Sequence, residues 1–346
     1  PYRFRGEALP HGRIFHAFLC AVTCMPDMAG HASARLLLGL PLLAFVASAG
    51  PCDDLSPDAC WMHYLESPAP AALDLGRNLS ARADHIASSL PPGLQIAGEF
   101  DVSVSGGGDY DAYYLGVAML LSRVGGVRLR RFTGASAGGM MPFELVLKGE
   151  RETLLTHLSY GVLTGQYPRH FTGVLAAAEQ DHHWRLMAAW QTNKYALQLP
   201  RLNGTVFLAL SCLDPILPKL VVVSEFTAEG DQATHAFMAT GTAVETYEGK
   251  VCSDGGAMSG PNMTPLFQDA LRPQIIVNLM KTGYPGELLY KVDLEQYASL
   301  IRMGQDEAAE FLRSGRVGRD ADAIALCPRG AKVDRNVCER PAEVHL

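Results

Sequence analysis

The sequence predicts an α/β protein with a largely parallel central sheet. Twice in succession, an apolar strand pattern leads into a glycine-rich turn and then into a helical pattern. The first unit covers Glu99–Val124 and the second covers Val127–Lys148. Strands that alternate with glycine turns and helices in this way are typical of a parallel sheet with right-handed crossovers.

Each element of this pattern has its own signal. Glu99–Ser105 alternates apolar and polar residues as a strand does, whereas Ala112–Val124 carries apolar residues at helical spacing. Val127–Thr133 predicts a second strand, and Ala137–Lys148 predicts a second helix. Three later apolar runs are interpreted as buried strands: Thr205–Leu210, Leu220–Val223 and Gln274–Met280.

The composition divides the chain into four segments. Residues 1–49 are interpreted as a presequence, and residues 50–95 as an irregular lead-in with a helix near Leu73–Leu90. Residues 96–314 form the predicted α/β domain. Residues 315–346 are charged, contain two cysteines and are expected to be surface material.

The bulk composition limits the class of protein. The 346 residues are 48% hydrophobic and 19% charged, an ordinary balance for a globular chain. The net charge of -7, without a dense basic patch, argues against nucleic-acid binding. No apolar stretch is long enough to span a bilayer, so no transmembrane helix is predicted.

The N-terminal region predicts targeting. After Met28 (Met25 is the other candidate start), a polar, weakly basic stretch precedes a 14-residue apolar run from Leu36 to Ala49. The run ends in Ala-Ser-Ala, a small-x-small pattern that signal peptidase recognises. We therefore expect a signal peptide near residues 28–49 and a secreted or secretory-pathway protein. The alternative is an organelle presequence over Arg3–Ala49, which is rich in arginine and poor in acids.

Cysteine usage fits an oxidising compartment. Two of the eight cysteines fall in the presequence. The remaining six, an even number suited to disulfide pairing, are Cys52, Cys60, Cys212, Cys252, Cys327 and Cys338. Local disulfides are plausible within the first two and within the last two. No Cys-x-x-Cys spacing occurs, so no metal site is predicted.

The first chemical motif is Gly134-Ala135-Ser136-Ala137-Gly138, between a predicted strand and a predicted helix. A serine with glycine two residues away on each side, at this junction, is typical of a nucleophile elbow. The turn is so tight that a β-carbon at either glycine position would clash. It also brings the hydroxyl of Ser136 to a helix N-terminus, where free amides favour developing negative charge.

A second motif, Ser105-Gly106-Gly107-Gly108, also stands between a strand and a helix. Successive glycine amides in a tight loop can donate to an oxyanion without obstruction by side chains. A phosphate-binding loop is the competing interpretation, but the Gly-Lys-Ser/Thr ending and the dinucleotide spacing are both absent.

The third motif is Asp254-Gly255-Gly256, which follows a predicted strand end. Taken alone, Asp-Gly-Gly is most often a hairpin turn. Its order after the other two motifs changes this interpretation, because the same three motifs recur together in a known family.

The chain resembles the patatin-like phospholipase family. The resemblance rests on the triple-glycine loop, a helix with Tyr113-Tyr114-Leu115-Gly116-Val117, the serine elbow, and Asp-Gly-Gly about 120 residues after it. It covers Phe100–Phe267, about half of the chain. It implies a three-layer sandwich with helices on both faces of a largely parallel sheet.

The resemblance also implies a mechanism. The family hydrolyses lipid esters with a Ser–Asp dyad and without a catalytic histidine or a cofactor. Carried over, Ser136 is the nucleophile, Asp254 is the base, and the Gly106–Gly108 loop is the oxyanion hole. The expected partners are a lipid ester and the surface of a membrane or lipid droplet, but the lipid class stays open.

Asp109-Tyr110-Asp111 departs from the family pattern. Most members have a basic residue and a glycine there, although the adipose triglyceride lipase and adiponutrin branch also lacks the basic residue. Two carboxylates would oppose an oxyanion unless they point away or cap the helix, and aspartate at a helix N-terminus is ordinarily a cap. A catalytically silent lipid-binding protein is therefore a rival interpretation.

Two further alternatives involve histidine. A Ser-His-Asp triad could combine Ser136 with His235 and Asp214, in the chain order Ser, Asp, His of α/β-hydrolases. Asp181-His182-His183 could suggest metal binding, but adjacent histidines on a helix diverge, and a solvated helix start is the simpler interpretation.

Overall fold

The structure is a computed structural model, and residues 55–346 form one compact unit in it. The described residues are 56–91, 96–166, 174–214, 217–242, 244–259, 264–267, 269, 271–279, 293–317 and 323–329. The predicted signal peptide and organelle presequence both lie outside these residues.

The described part of the chain alternates helices and strands. Its strands are β1 (Gly98–Val104), β2 (Val127–Gly134), β3 (Val206–Leu213), β4 (Pro218–Val223), β5 (Glu245–Tyr247), β6 (Lys250–Asp254), β7 (Gln274–Val277), β8 (Arg316–Val317) and β9 (Ile324–Cys327). Its α-helices are α1 (Pro57–Glu66), α2 (Pro70–Ser89), α3 (Asp111–Leu121), α4 (Ala137–Lys148), α5 (Glu150–Gln166), α6 (Val174–Lys194), α7 (Gln232–Gly241) and α8 (Leu294–Ser314).

The strands form one mixed sheet in the order β5-β6-β3-β2-β1-β7-β9-β8, with β4 paired to β3. The four central strands, β3, β2, β1 and β7, are parallel. The strands outside them pair antiparallel. The predicted α/β class with a largely parallel centre is therefore confirmed.

The predicted elements around the glycine motifs agree closely with the observed ones. Helix α4 has the predicted bounds, and β1, β2 and α3 differ from prediction by a few residues at their ends. The later predicted strands correspond to β3, β4 and β7. These segments combine a clear apolar period with a glycine boundary, and both signals are local.

The lead-in and the C-terminal segment contain more regular structure than predicted. The helix predicted near Leu73–Leu90 is confirmed as α2, which buries Ala72, Gly76, Leu79 and Ala83 along one stripe, but α1 was not predicted. The C-terminal segment supplies β9, which pairs with β7 and has buried residues at Ile324 and Cys327. A four-residue strand inside a charged segment is too short to show a recognisable sequence pattern. It is stabilised by pairing with β7.

Helix α3 is buried almost all round and packs closely on α8. Ten of its eleven residues are buried, so it has no solvent-facing stripe. A β-carbon on Gly116 would lie 2.1 Å from the carbonyl oxygen of Ile301. The two helix backbones thus touch, which fixes the helix that follows the glycine loop.

One disulfide joins two strands near the site. Cys212 of β3 and Cys252 of β6 are opposite each other in the antiparallel register and form a disulfide. Cys60 takes part in a disulfide too, and so does Cys327. The predicted local pairings stay predictions, because Cys52 and Cys338 lie outside the described residues. None of the described helices is long and apolar enough to cross a membrane.

Candidate active site

Strand β3 brings the two distant turns together. Gly134, at the end of β2, pairs with Leu208 of β3, and Asp254, at the end of β6, pairs with Leu210. Two residues of a strand span about 6–7 Å. Since Ser136 follows Gly134 by two residues, the register alone brings Ser136 and Asp254 to the same level of the sheet.

Ser136 has the backbone of a strained elbow. Its φ is 55° and its ψ is -138°, a backbone conformation that residues with a side chain rarely adopt. Ser136 immediately precedes α4, and its side chain makes no capping hydrogen bond. The flanking glycines are required by close contacts. A β-carbon on Gly134 would lie 2.0 Å from the carbonyl oxygen of Gly138, and one on Gly138 would lie 2.2 Å from that of Ser105. The second contact also shows that the elbow abuts the start of the glycine loop.

Asp254 lies beside Ser136. Its carboxylate accepts a hydrogen bond from the backbone N–H of Gly256 at 2.7 Å. Burial raises the pKa of Asp254, whereas the Gly256 amide and the nearby Ser136 side chain lower it in part. A β-carbon on Gly255 would lie 1.8 Å from the Ala209 carbonyl oxygen, so this turn can pack on β3 only with glycine.

The C-terminal end of α7 holds both turns. The carbonyl of Thr240 accepts from the Ser136 N–H at 2.9 Å, and the carbonyl of Thr242 accepts from the Asp254 N–H at 2.8 Å. The Thr240 hydroxyl donates to the Ala209 carbonyl of β3 at 2.8 Å. Carbonyls in the last turn of a helix lack intrahelical partners, so they are free to accept from other segments. The sequence analysis missed these residues, because backbone acceptors have no sequence signature.

The glycine loop is fixed from one side by a buried hydroxyl pair. The Tyr114 and Ser105 hydroxyls lie 2.8 Å apart, and both donate to the Gly106 carbonyl, at 2.9 and 3.0 Å. Ser105 Oγ also accepts from the Leu279 N–H at 3.1 Å. The Gly106 carbonyl is thereby held towards these two hydroxyls.

The backbone N–H groups of the glycine loop are available as hydrogen-bond donors. The N–H groups of Gly106, Gly107 and Gly108 donate to no acceptor among the described residues. Gly108 has φ of 57°, the left-handed conformation that glycine adopts without strain. A run of unpaired amides at such a turn can bind an anion.

Asp111 corrects the capping expectation. It is the first residue of α3 and not its N-cap, and it is buried. Its Oδ2 lies 3.3 Å from Nδ1 of His157, on α5. The physical reason is that the buried helix start gives this carboxylate no contact with solvent, and the His157 ring is the partner within reach. The side chain of Asp109 lies outside the described part.

The alternative histidines have other partners. His235 Nδ1 lies 3.0 Å from Glu245 Oε1, and Asp214 pairs with Lys219 at 3.3 Å, so neither joins Ser136. His182 contacts Asp58 at 3.1 Å, and His183 stacks on Trp61.

Asp181-His182-His183 lies in the middle of α6, and the expectation of a helix start was wrong. In the described part of the chain, no three His, Cys, Asp or Glu side chains form a metal-binding group.

Comparison with known proteins adds no relative. No protein-family model matches the sequence, and no curated protein is significantly similar to it.

Proposed function

We propose that this protein is a serine lipid acyl hydrolase of the patatin-like type, in which Ser136 and Asp254 form a catalytic dyad. The supporting observation is that the sheet register brings Ser136, in a strained elbow, beside the mostly buried Asp254 carboxylate. Such strain persists only where surrounding structure imposes it, and it concentrates at functional sites.

The proposed reaction has two halves. Asp254 accepts the Ser136 proton while Oγ attacks the ester carbonyl, and the tetrahedral intermediate then expels the alcohol, which takes the proton from Asp254. The acyl group stays on Ser136. Water, activated by Asp254, attacks the acyl-serine, and the fatty acid leaves as Ser136 recovers its proton.

The surroundings suit each step. The raised pKa of Asp254, caused by burial, makes its carboxylate a stronger base than an exposed one. The unpaired amides of Gly107 and Gly108 are the proposed oxyanion donors, together with the N–H of Ala137 at the start of α4. One such donor typically contributes about 3–4 kcal/mol to transition-state stabilisation.

The lipid class of substrate rests on the resemblance to the patatin-like family. That family also motivates the proposed three-layer sandwich and contact with a membrane or lipid-droplet surface. Disulfide bonding at Cys212–Cys252 supports the proposal that the protein enters the secretory pathway, since disulfides persist in oxidising compartments.

A panel of lipids with the purified chain tests the function. We expect fatty-acid release from at least one ester class, and a loss of at least about 10³-fold in both Ser136→Ala and Asp254→Asn. Ser122→Ala and Asp214→Asn are matched controls, because these residues lie away from the dyad. Both should keep full activity.

A fluorophosphonate probe separates an enzyme from a silent binder. The probe should label the wild-type protein on Ser136 and leave Ser136→Ala unlabelled. Absence of labelling in a folded wild-type protein would refute the dyad. Loss of activity in His235→Ala would instead favour the triad mechanism.

A further inference from the structure

Four charged side chains from three helices meet in the interior beside the site. His157 of α5 lies between Asp111 of α3, at 3.3 Å, and Glu144 of α4, at 3.1 Å. Lys148 of α4 contacts the same Glu144 oxygen at 2.7 Å and donates to Thr156 Oγ1 at 3.2 Å. All four charged side chains are at most 5% exposed, so water does not screen them.

The charges of this cluster compensate one another. Burial alone would lower the pKa of His157, but Asp111 and Glu144 outweigh it and raise the pKa to about 10. Burial would raise the pKa of Glu144, but Lys148 and His157 lower it to about 2. The cluster thus pairs two carboxyl groups, Asp111 and Glu144, with two basic side chains, His157 and Lys148.

Neighbouring elements add few other polar groups. The Tyr297 ring of α8 lies 6.1 Å from the His157 ring. Glu152 and Lys194 act electrostatically on Lys148, at the end of the cluster remote from Asp111. Within the described residues, His157 is the cation that faces Asp111.

The cluster connects the two halves of the proposed site. Asp111 begins α3 directly after the turn Gly108–Tyr110, and its N–H donates to the Gly108 carbonyl. Glu144 lies on α4, the helix that Ser136 precedes. His157 thus joins the helix behind the glycine loop to the helix behind the nucleophile.

We propose that His157 is a positioning residue: by bridging Asp111 and Glu144, it holds the glycine loop at a fixed place relative to Ser136 and gives Asp111 a buried partner. It acts through Asp111 and not on substrate. The catalytic part of this inference rests on the proposed function, whereas the effect on the loop does not. Without His157, a buried carboxylate would lack its cation directly behind the loop amides, a costly arrangement.

The test compares His157→Gln, Asp111→Asn and the double variant in the full-length chain. His182→Gln is the matched control, since it removes an exposed His–Asp pair. We expect His157→Gln to lower kcat by about 10–100-fold with KM little changed, because a small misplacement of donors affects the transition state most. In a peptide covering residues 105–111, the hydrogen-bonded amides of Tyr110 and Asp111 should exchange about 10-fold faster, with α6 unaffected.

The pH dependence identifies the partner. In His157→Gln the pKa of Asp111, already raised by burial, loses the lowering effect of the imidazolium and rises further. Charging Asp111 is then unfavourable, so the stability of this variant should fall with rising pH relative to wild type. The double variant, which has no carboxylate at position 111, should lack this fall and lose no more kcat than His157→Gln alone.

The outcomes separate the two proposals. If the wild-type protein hydrolyses no lipid but His157→Gln shows faster loop exchange, the exchange supports the positioning role and the lack of activity refutes the hydrolase. Active wild type with unchanged kcat and loop exchange in His157→Gln, or additive losses in the double variant, would overturn the positioning role alone. If His157→Gln does not fold, Asp111→Asn decides, since it keeps both Glu144 contacts: faster loop exchange supports the role, and unchanged exchange overturns it.

Discussion

Two mostly buried carboxylates near Ser136 have opposite properties. Asp254 accepts a hydrogen bond from the Gly256 amide, lies beside Ser136 and pairs with no cation among the described residues, and burial raises its pKa. Glu144 contacts Lys148 and His157, and these cations lower its pKa to about 2 despite burial. The partner, more than the burial, decides whether a carboxylate is suited to accept a proton or to hold helices together.

The comparison predicts that removing the charge of Glu144 lowers the free energy of unfolding far more than removing that of Asp254. Glu144→Gln leaves Lys148 and His157 buried without their shared carboxylate. Breaking a buried ion pair in this way costs about 3–5 kcal/mol. Urea unfolding at pH 7 measures the loss.

Glu295→Gln is the matched control for this change. Glu295 pairs with Arg302 on the surface of α8 and is 73% exposed. An exposed pair contributes at most about 1 kcal/mol. Equal losses of unfolding free energy in Glu144→Gln and Glu295→Gln would show that the buried cluster does not stabilise the fold more than a surface ion pair does.

The second prediction concerns the covalent link beside Asp254. Cys252 lies two residues before Asp254, and its disulfide to Cys212 closes a separation of 40 residues. Replacing both cysteines by alanine should cost about 2–4 kcal/mol. Activity should also fall, since β6 positions the base. Mutation is preferable to reduction because Cys60 and Cys327 are also disulfide-bonded.

Unfolding and ester hydrolysis of the double alanine variant, compared with wild type, check this prediction. Unchanged stability with unchanged activity would mean that the hydrogen bonds of β3 and α7 alone suffice to hold Asp254.

The difference between the two carboxylates also marks what sequence reasoning can reach. Ser136, Asp254 and their glycines were predictable, because close backbone contacts allow only glycine there and so leave a motif. His157 and Glu144 left none, since they meet across helices whose packing no local spacing encodes. Asp111 was misjudged for the same reason. Its local context favours a cap, and a distant cation decided otherwise.

The fold shows the same division. The helices and strands beside the glycine turns have strong local periods, whereas β9 exists because β7 offers a partner. The carbonyls of Thr240 and Thr242 hold the turns of Ser136 and Asp254 through backbone atoms that every residue possesses. Tertiary contacts of this kind become visible only in three dimensions.

The third prediction reverses the sign seen for Glu144. Because the pKa of Asp254 is raised in the folded state, its ionisation disfavours folding. Its stabilising contribution is complete below its unfolded pKa of about 3.9 and is lost as pH rises through the higher folded value. Asp254→Asn should therefore abolish activity but gain about 1–2 kcal/mol at pH 7, a common size for relieving a functional site.

Urea unfolding as a function of pH checks this sign. The stability of Asp254→Asn relative to wild type should grow between about pH 4 and the folded pKa and then stay constant. A loss of stability in Asp254→Asn at neutral pH would contradict the prediction that the ionised Asp254 carboxylate destabilises the folded protein.

The smallest effect is expected at Ser136 itself. Ser136→Gly removes the side chain from a backbone with φ of 55° and ψ of -138°. Relief of such strain is worth about 1–3 kcal/mol, and glycine loses about 0.5–1 kcal/mol through its greater freedom in the unfolded chain. The net gain should be about 1 kcal/mol, with activity abolished. Ser122→Gly, at an ordinary helical backbone with φ of -69°, should instead lose stability, so opposite signs at the two serines would tie the strain to the elbow.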